Sequence, residues 1–125
     1  MTAVIVPAKP LESALSRLSG VLDGPARRAI QQAMLTDVLC AAGDVTAVVT
    51  VVTADPTVAG LANAYGADVV HESTPGGGID TAVAQGVSRT RADRVLVVMG
   101  DLPLATGADL GELLSVAPAH GVALA

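Results

Sequence analysis

The sequence predicts an α/β fold, a mainly parallel sheet with helices on both faces in a Rossmann-type three-layer sandwich. Three observations carry it. Val95 to Met99 is a run of five apolar residues closed by Gly100, Asp101, Leu102 and Pro103, the pattern of a strand buried on both faces. Similar β-branched or apolar runs recur at Ala3–Val6, Val45–Val52 and Ala67–Val70. Between them lie stretches with helical rhythm and helix-start signals, and strands alternating with helices imply right-handed βαβ units.

In chain order, Ala3–Val6 is the first strand and Pro7 ends it. Pro7 and Pro10 keep the following segment extended and stiff. Asp23-Gly24-Pro25 starts a helix, predicted over Ala26–Ala42, with an apolar stripe of Ile30, Ala33, Met34, Val38 and Ala41 widened by Leu35 and Leu39. Arg27, Arg28, Gln31 and Gln32 fall on its other side. Gly43-Asp44 is expected to stop this helix, and Val45–Val52 to form the second strand. Asp55 is an N-cap with Pro56 at the first helical position, for a helix running to about Tyr65 and closed by Gly66. Ala67–Val70 is a short third strand, and His71–Gly78 a polar loop. A helix begins near Ile79-Asp80-Thr81 and runs to about Arg91. The fourth strand leads to Asp101, Thr106 is an N-cap for a helix over Gly107–Val116, and Pro118–His120 turns toward a fifth strand at Val122–Ala125. Because that strand begins where the sequence stops, the chain is expected to be the N-terminal part of a longer protein, forming a single domain over 1–125 that is incomplete.

Composition narrows the function. A chain of 125 residues can bury about two-thirds of its unfolded surface. Tyr65 is the only aromatic residue, so the core is built from Val, Ala, Leu and Ile, and no ring platform for stacking bases exists. A net charge of -5 with Lys9 as the only lysine argues against a nucleic-acid partner, whose phosphates demand a basic surface. Mean hydropathy is +0.59, yet Gly, Pro, Asp and Arg break every apolar run well short of the ~18 residues of a membrane span. No basic segment followed by a long apolar one opens the chain, and a cytoplasmic location without membrane association is expected. Cys40, the single cysteine, forms no intrachain disulfide and is expected to pack on an apolar helix face as a small hydrophobe.

Several chemistries lack their motifs. There is no Gly-x-Gly-x-x-Gly after the first strand, no Gly-x-x-x-x-Gly-Lys-Ser/Thr and no Gly-x-Ser-x-Gly. His71 and His120 have no partners at metal-site spacing and read as loop residues. What remains gathers at the carboxyl ends of predicted strands: Lys9 and Arg17 after the first, Gly76-Gly77-Gly78 after the third, Gly100 and Asp101 after the fourth. In open α/β sheets ligands bind at that edge. Cations there neutralise phosphate, bare glycine backbone approaches a ligand closely, and an Asp ligates a hard cation such as Mg2+. Blander readings stand beside each. Lys9 can be a solvated loop residue, Arg17 can lie across apolar surface, the glycine run can be a flexible connection, Asp80 an ordinary first-turn acid, and Asp101 a partner of its own turn.

The stretches VPAKPLESALSRL, AMLTDVL, PGGGIDTAV and MGDLPL, in this order and spacing, resemble the 2-phospho-L-lactate or phosphoenolpyruvate guanylyltransferases of coenzyme F-420 biosynthesis. The resemblance spans essentially the whole chain and about the first half to three-fifths of the family's length. It implies a nucleotidyltransferase-like fold and transfer of GMP from GTP to a phosphorylated three-carbon acid with release of pyrophosphate. It implies that Lys9 and Arg17 contact the GTP phosphates and act in catalysis. Pro7, Ala8, Gly76, Gly77, Gly78, Asp80, Thr81 and Gly100 would also border the nucleotide, and Asp101 would be one of two aspartates binding Mg2+. The family usually has a lysine where this chain has Leu15 and an asparagine where it has Asp80; losing a cation and gaining an anion beside a triphosphate weaken binding. Two other readings stay open: a non-catalytic fragment or degenerate nucleotide-binding module, and a nucleotidyltransferase acting on a sugar phosphate or another cofactor precursor. A homo-oligomer is compatible with all three.

Overall fold

The computed structural model describes residues 2–8, 23–46, 48–73 and 78–99 and, for their backbone alone, 121–124. Among the described residues five strands and three helices follow one another: β1 (Thr2–Pro7), α1 (Gly24–Val45), β2 (Val49–Thr53), α2 (Pro56–Ala64), β3 (Asp68–His71), α3 (Ile79–Ser88), β4 (Arg94–Val97) and β5 (Gly121–Leu124). The strands form one sheet in the order β3-β2-β1-β4-β5, and every neighbouring pair is parallel. The α/β class expected from the alternation of apolar runs and helical stretches is what the chain adopts.

Apolar alternation along each strand divides the core between two faces. Val4, Val6, Val51, Leu96 and Val98 meet Leu35, Val38 and Leu39 of α1 and Val58 and Ala62 of α2. Ile5, Val52, Val95 and Val97 meet Ala82 of α3, with Val83 and Val87 beside it. Helices therefore cover both faces, which is why the strands read as unbroken apolar runs rather than as alternating ones. β1 is the centre of the sheet, and Ala3, Val4, Ile5 and Val6 are fully buried; each large aliphatic side chain so placed contributes about 1.5–3 kcal/mol.

Asp23 caps α1, accepting from the Ala26 N–H at 2.7 Å, with Pro25 in the first turn. Asp55 caps α2 in the same way, accepting from the Thr57 N–H at 2.8 Å, and Pro56 opens the helix. Gly66 follows α2 with φ 78°, the left-handed conformation that glycine adopts without penalty.

Five expectations are corrected. Helix α1 runs through Gly43 and Asp44 to Val45, so β2 begins only at Val49; one glycine in a helix costs about 1 kcal/mol, less than tertiary packing of the surrounding turns returns. The stripe that α1 buries is Gln31, Leu35, Val38, Leu39, Ala41 and Ala42, while Ile30 and Ala33 are exposed. Cys40 is exposed rather than packed, on the side of the helix this rotation turns outward. Finally, α3 ends at Ser88 rather than near Arg91, and His71 closes β3 instead of opening a loop. The helix expected over Gly107–Val116 and the turn at Pro118–His120 lie outside the described residues.

Candidate functional site at the sheet's switch point

From β1 the chain steps to β2 and β3 on one side, with α1 and α2 on one face. It then returns past β1 to β4, with α3 on the opposite face. Right-handed crossovers require that change of face when the direction of travel reverses. The carboxyl ends of β1 and β4 therefore stand side by side where the strand order reverses, and the crevice at such a switch point is where sheets of this kind bind ligands.

Proline shapes this crevice. The N–H groups of Val4 and Ala8 donate to Val48 and Val52 on the β2 side, so by alternation the nitrogen of Pro7 lies on the β4 side, where it has no hydrogen to give. The Val98 N–H still donates to the Ile5 carbonyl at 3.0 Å, and one step later Pro7 withholds the next donor. By contrast, the β2 side of the rim stays laced. Ala8 N–H reaches Val52 O at 3.0 Å, and Glu72 N–H reaches Thr53 O at 3.0 Å. The β1–β4 pairing thus ends at Ile5 and Val97, while β1–β2 and β2–β3 remain joined to the ends of their strands.

The third border is the start of α3, which a βαβ crossover places at the same carboxyl edge. Gly78 is its N-cap, at φ 91° and ψ 169°, with no side-chain cap hydrogen bond. That backbone conformation is almost confined to glycine, so here the glycine run is a conformational requirement at its last member. Asp80 and Thr81 follow in the first turn, both exposed, and the Asp80 carboxylate is favourably placed toward the helix dipole.

Of the residues assigned from sequence, Pro7, Ala8, Gly78, Asp80 and Thr81 are found at this one edge. Lys9, Arg17, Gly76, Gly77, Gly100 and Asp101 lie outside the described residues. In the sequence Lys9 directly follows Ala8, and Gly100 and Asp101 directly follow Met99. A cavity lined by Leu39, Thr46, Val49 and Tyr65 lies where β2 and β3 begin, at the opposite edge.

Two residues at this edge escaped the sequence reading. Gln85 of α3 accepts from the Ser73 N–H at 3.0 Å and the Ser73 hydroxyl at 3.4 Å, and donates from Nε2 to the His71 carbonyl. Gly86, next to it, faces the sheet so closely that a Cβ there would stand 2.7 Å from Ile5 Cγ2 and 3.0 Å from Val52 Cγ2. A glutamine in a helix reads as solvated surface, and no spacing signal separates this one. Gly86 had a weak signal, as an unforced glycine inside an otherwise regular helical pattern.

Comparison with known proteins agrees with this architecture. Residues 2–125 match the family model described as "Guanylyl transferase CofC like". The chain is 37% identical over 136 aligned positions to the phosphoenolpyruvate guanylyltransferase of Rhodococcus opacus, covering 94% of this chain and 57% of that protein. It is 34% identical over 125 positions to the enzyme of the same name from Mycolicibacterium paratuberculosis, with the same coverage. With that of Conexibacter woesei it shares 40% identity over 118 positions, 90% of this chain and 52% of the relative. The chain spans just over half the length of these curated relatives. With a family match across residues 2–125 of a parallel α/β chain, the chain belongs to the CofC-like guanylyl transferase family.

Proposed function

We propose that this chain supplies the nucleotide-binding part of a guanylyltransferase that joins GMP, taken from GTP, to phosphoenolpyruvate or 2-phospho-L-lactate and releases pyrophosphate, as a step toward coenzyme F-420. The observation that supports it most is the reversal of strand order between β1 and β4, whose described ends, Ala8 and Met99, are followed in the sequence by Lys9 and by Gly100-Asp101. A phosphate oxygen of the acid attacks the α-phosphorus of GTP, and the bond from that phosphorus to the bridging oxygen breaks as pyrophosphate leaves. The attacking phosphate has a second pKa of ~6 and is largely ionised at neutral pH, so no side chain has to remove a proton. Catalysis then falls to positioning and charge neutralisation. Lys9 and Arg17 are assigned to the triphosphate, and the segment Gly76 to Thr81 to close approach by the guanine or ribose.

Among the described residues no three His, Cys, Asp or Glu side chains come together to hold a metal ion. The magnesium ion of this reading therefore depends on Asp101, two residues past Met99, and when bound it would neutralise triphosphate charge.

The test is release of pyrophosphate from GTP, magnesium and either acid by the full chain, with the condensed product identified by mass. Asp101→Ala is expected to lower turnover about a hundred-fold or more. Near-normal turnover of that variant would sink the site assignment. Tight GTP binding with no pyrophosphate from either acid would favour a degenerate binding module instead.

A further inference from the structure

The geometry points to Gln85 as a positioning residue for the nucleotide-binding turn Gly78–Thr81, an inference that rests on the nucleotide reading above. One amide side chain meets the backbone on both sides of Glu72, taking the Ser73 N–H and giving to the His71 carbonyl. Glu72 itself donates to Thr53 of β2 at 3.0 Å. The chain leaving β3 is thereby fixed to β2 through Glu72 and to α3 through Gln85. Thr81 and Gln85 are four apart on one helix face, so the clamp lies one turn below the residues that would meet the nucleotide. On the sheet side Gly86 seats α3 against Ile5 and Val52. Gly86 sets how near the helix lies to the sheet. Gln85 ties that helix to the end of β3, and the two together hold the first turn at one height above the rim.

These hydrogen bonds are exposed, so water replaces them readily and their loss alters global stability little. Their loss should instead appear as misplacement of the Gly78–Thr81 turn. A purely structural glutamine would behave in the opposite way, moving the melting temperature and leaving nucleotide affinity alone.

The experiment compares the wild-type full chain with Gln85→Leu and Gln85→Glu, reading KM for GTP, kcat, melting temperature and amide hydrogen exchange at Ser73. Gln85→Leu removes all three bonds and is expected to raise KM about ten-fold with kcat within about three-fold. Gln85→Glu keeps an acceptor for Ser73 and is expected to raise KM less. Ser73 exchange should quicken in Gln85→Leu while Val51 stays protected. A KM within about two-fold of wild type despite faster Ser73 exchange would overturn the proposal and leave the guanylyltransferase reading intact. Should the leucine variant not fold, the same comparison is made with Gln85→Glu. Wild-type protein that neither binds nor turns over GTP would overturn the functional reading and, with it, this role for Gln85.

Discussion

At the scale of single residues, two glycines carry more of the fold than their size suggests, for different reasons. Gly78 is required by its dihedral angles, φ 91° and ψ 169°, and Gly86 by its neighbours. A methyl group at Gly86 would sit 2.7 Å from a methyl of Ile5 that branches directly from Cβ and cannot swing aside. Overpacking of this kind costs about 1–3 kcal/mol, while alanine returns up to ~1 kcal/mol of helix propensity. With the middle of the first range set against the full propensity gain, Gly86→Ala should destabilise the chain by about 1 kcal/mol in urea unfolding. An unchanged or raised midpoint would mean that α3 stands farther from β1 than described. Position 86 could be flagged from sequence as an odd glycine in a helix, but the residue it would strike, Ile5, is eighty-one positions away. No local pattern contains that information.

At the scale of elements, the helix starts were legible and the helix rotations were not. Asp23-Gly24-Pro25 and Asp55-Pro56 announce α1 and α2 because an N-cap carboxylate and an early proline act locally, and both caps form as hydrogen bonds. Asp55→Ala should consequently lower stability by about 1 kcal/mol, detected as a shifted unfolding midpoint, with Asp55→Asn retaining most of it; an alanine variant as stable as wild type would show that packing alone holds α2. The buried side of α1 is a different matter. Apolar residues occupy more than one side of this helix, so periodicity favoured the stripe through Ile30 and Ala33, whereas the sheet selects the one through Gln31, Leu35, Val38 and Ala42. Leu35 and Val38 belong to both and pack with Val4, Val6 and Val98; what separates the two is that Gln31 and Ala42 turn inward in place of Ile30 and Ala33, a choice made by contact between segments far apart in sequence.

At the scale of the whole molecule, the proposed function rests on the reversal of strand order rather than on any one motif. If the crevice between β1 and β4 receives the nucleotide, GTP with magnesium should stabilise the folded chain. At a hundred times its dissociation constant the gain is about 2.7 kcal/mol, a rise in melting temperature on the order of 10 °C. ATP should produce a smaller shift, and equal shifts would count against guanine selectivity. The cavity at the opposite edge supplies a control. Tyr65 lines it and is 49% exposed, so Tyr65→Ala should leave KM for GTP unchanged. A marked rise would place the ligand at the amino edge and refute the assignment.

The alternation of Val-rich runs with capped helices was enough, by itself, to determine an α/β chain, because burial on both faces of a parallel strand and the satisfaction of helix ends are written in adjacent residues. The motif order VPAKP, PGGG and MGDLPL likewise pointed to the family without coordinates. Only the tertiary structure decided which strands stand side by side, that Pro7 breaks the β1–β4 ladder at the rim, which face α1 turns inward, and that Gln85 and Gly86 seat α3. Each of these depends on groups brought together from distant positions, where the energy of contact outweighs local preference.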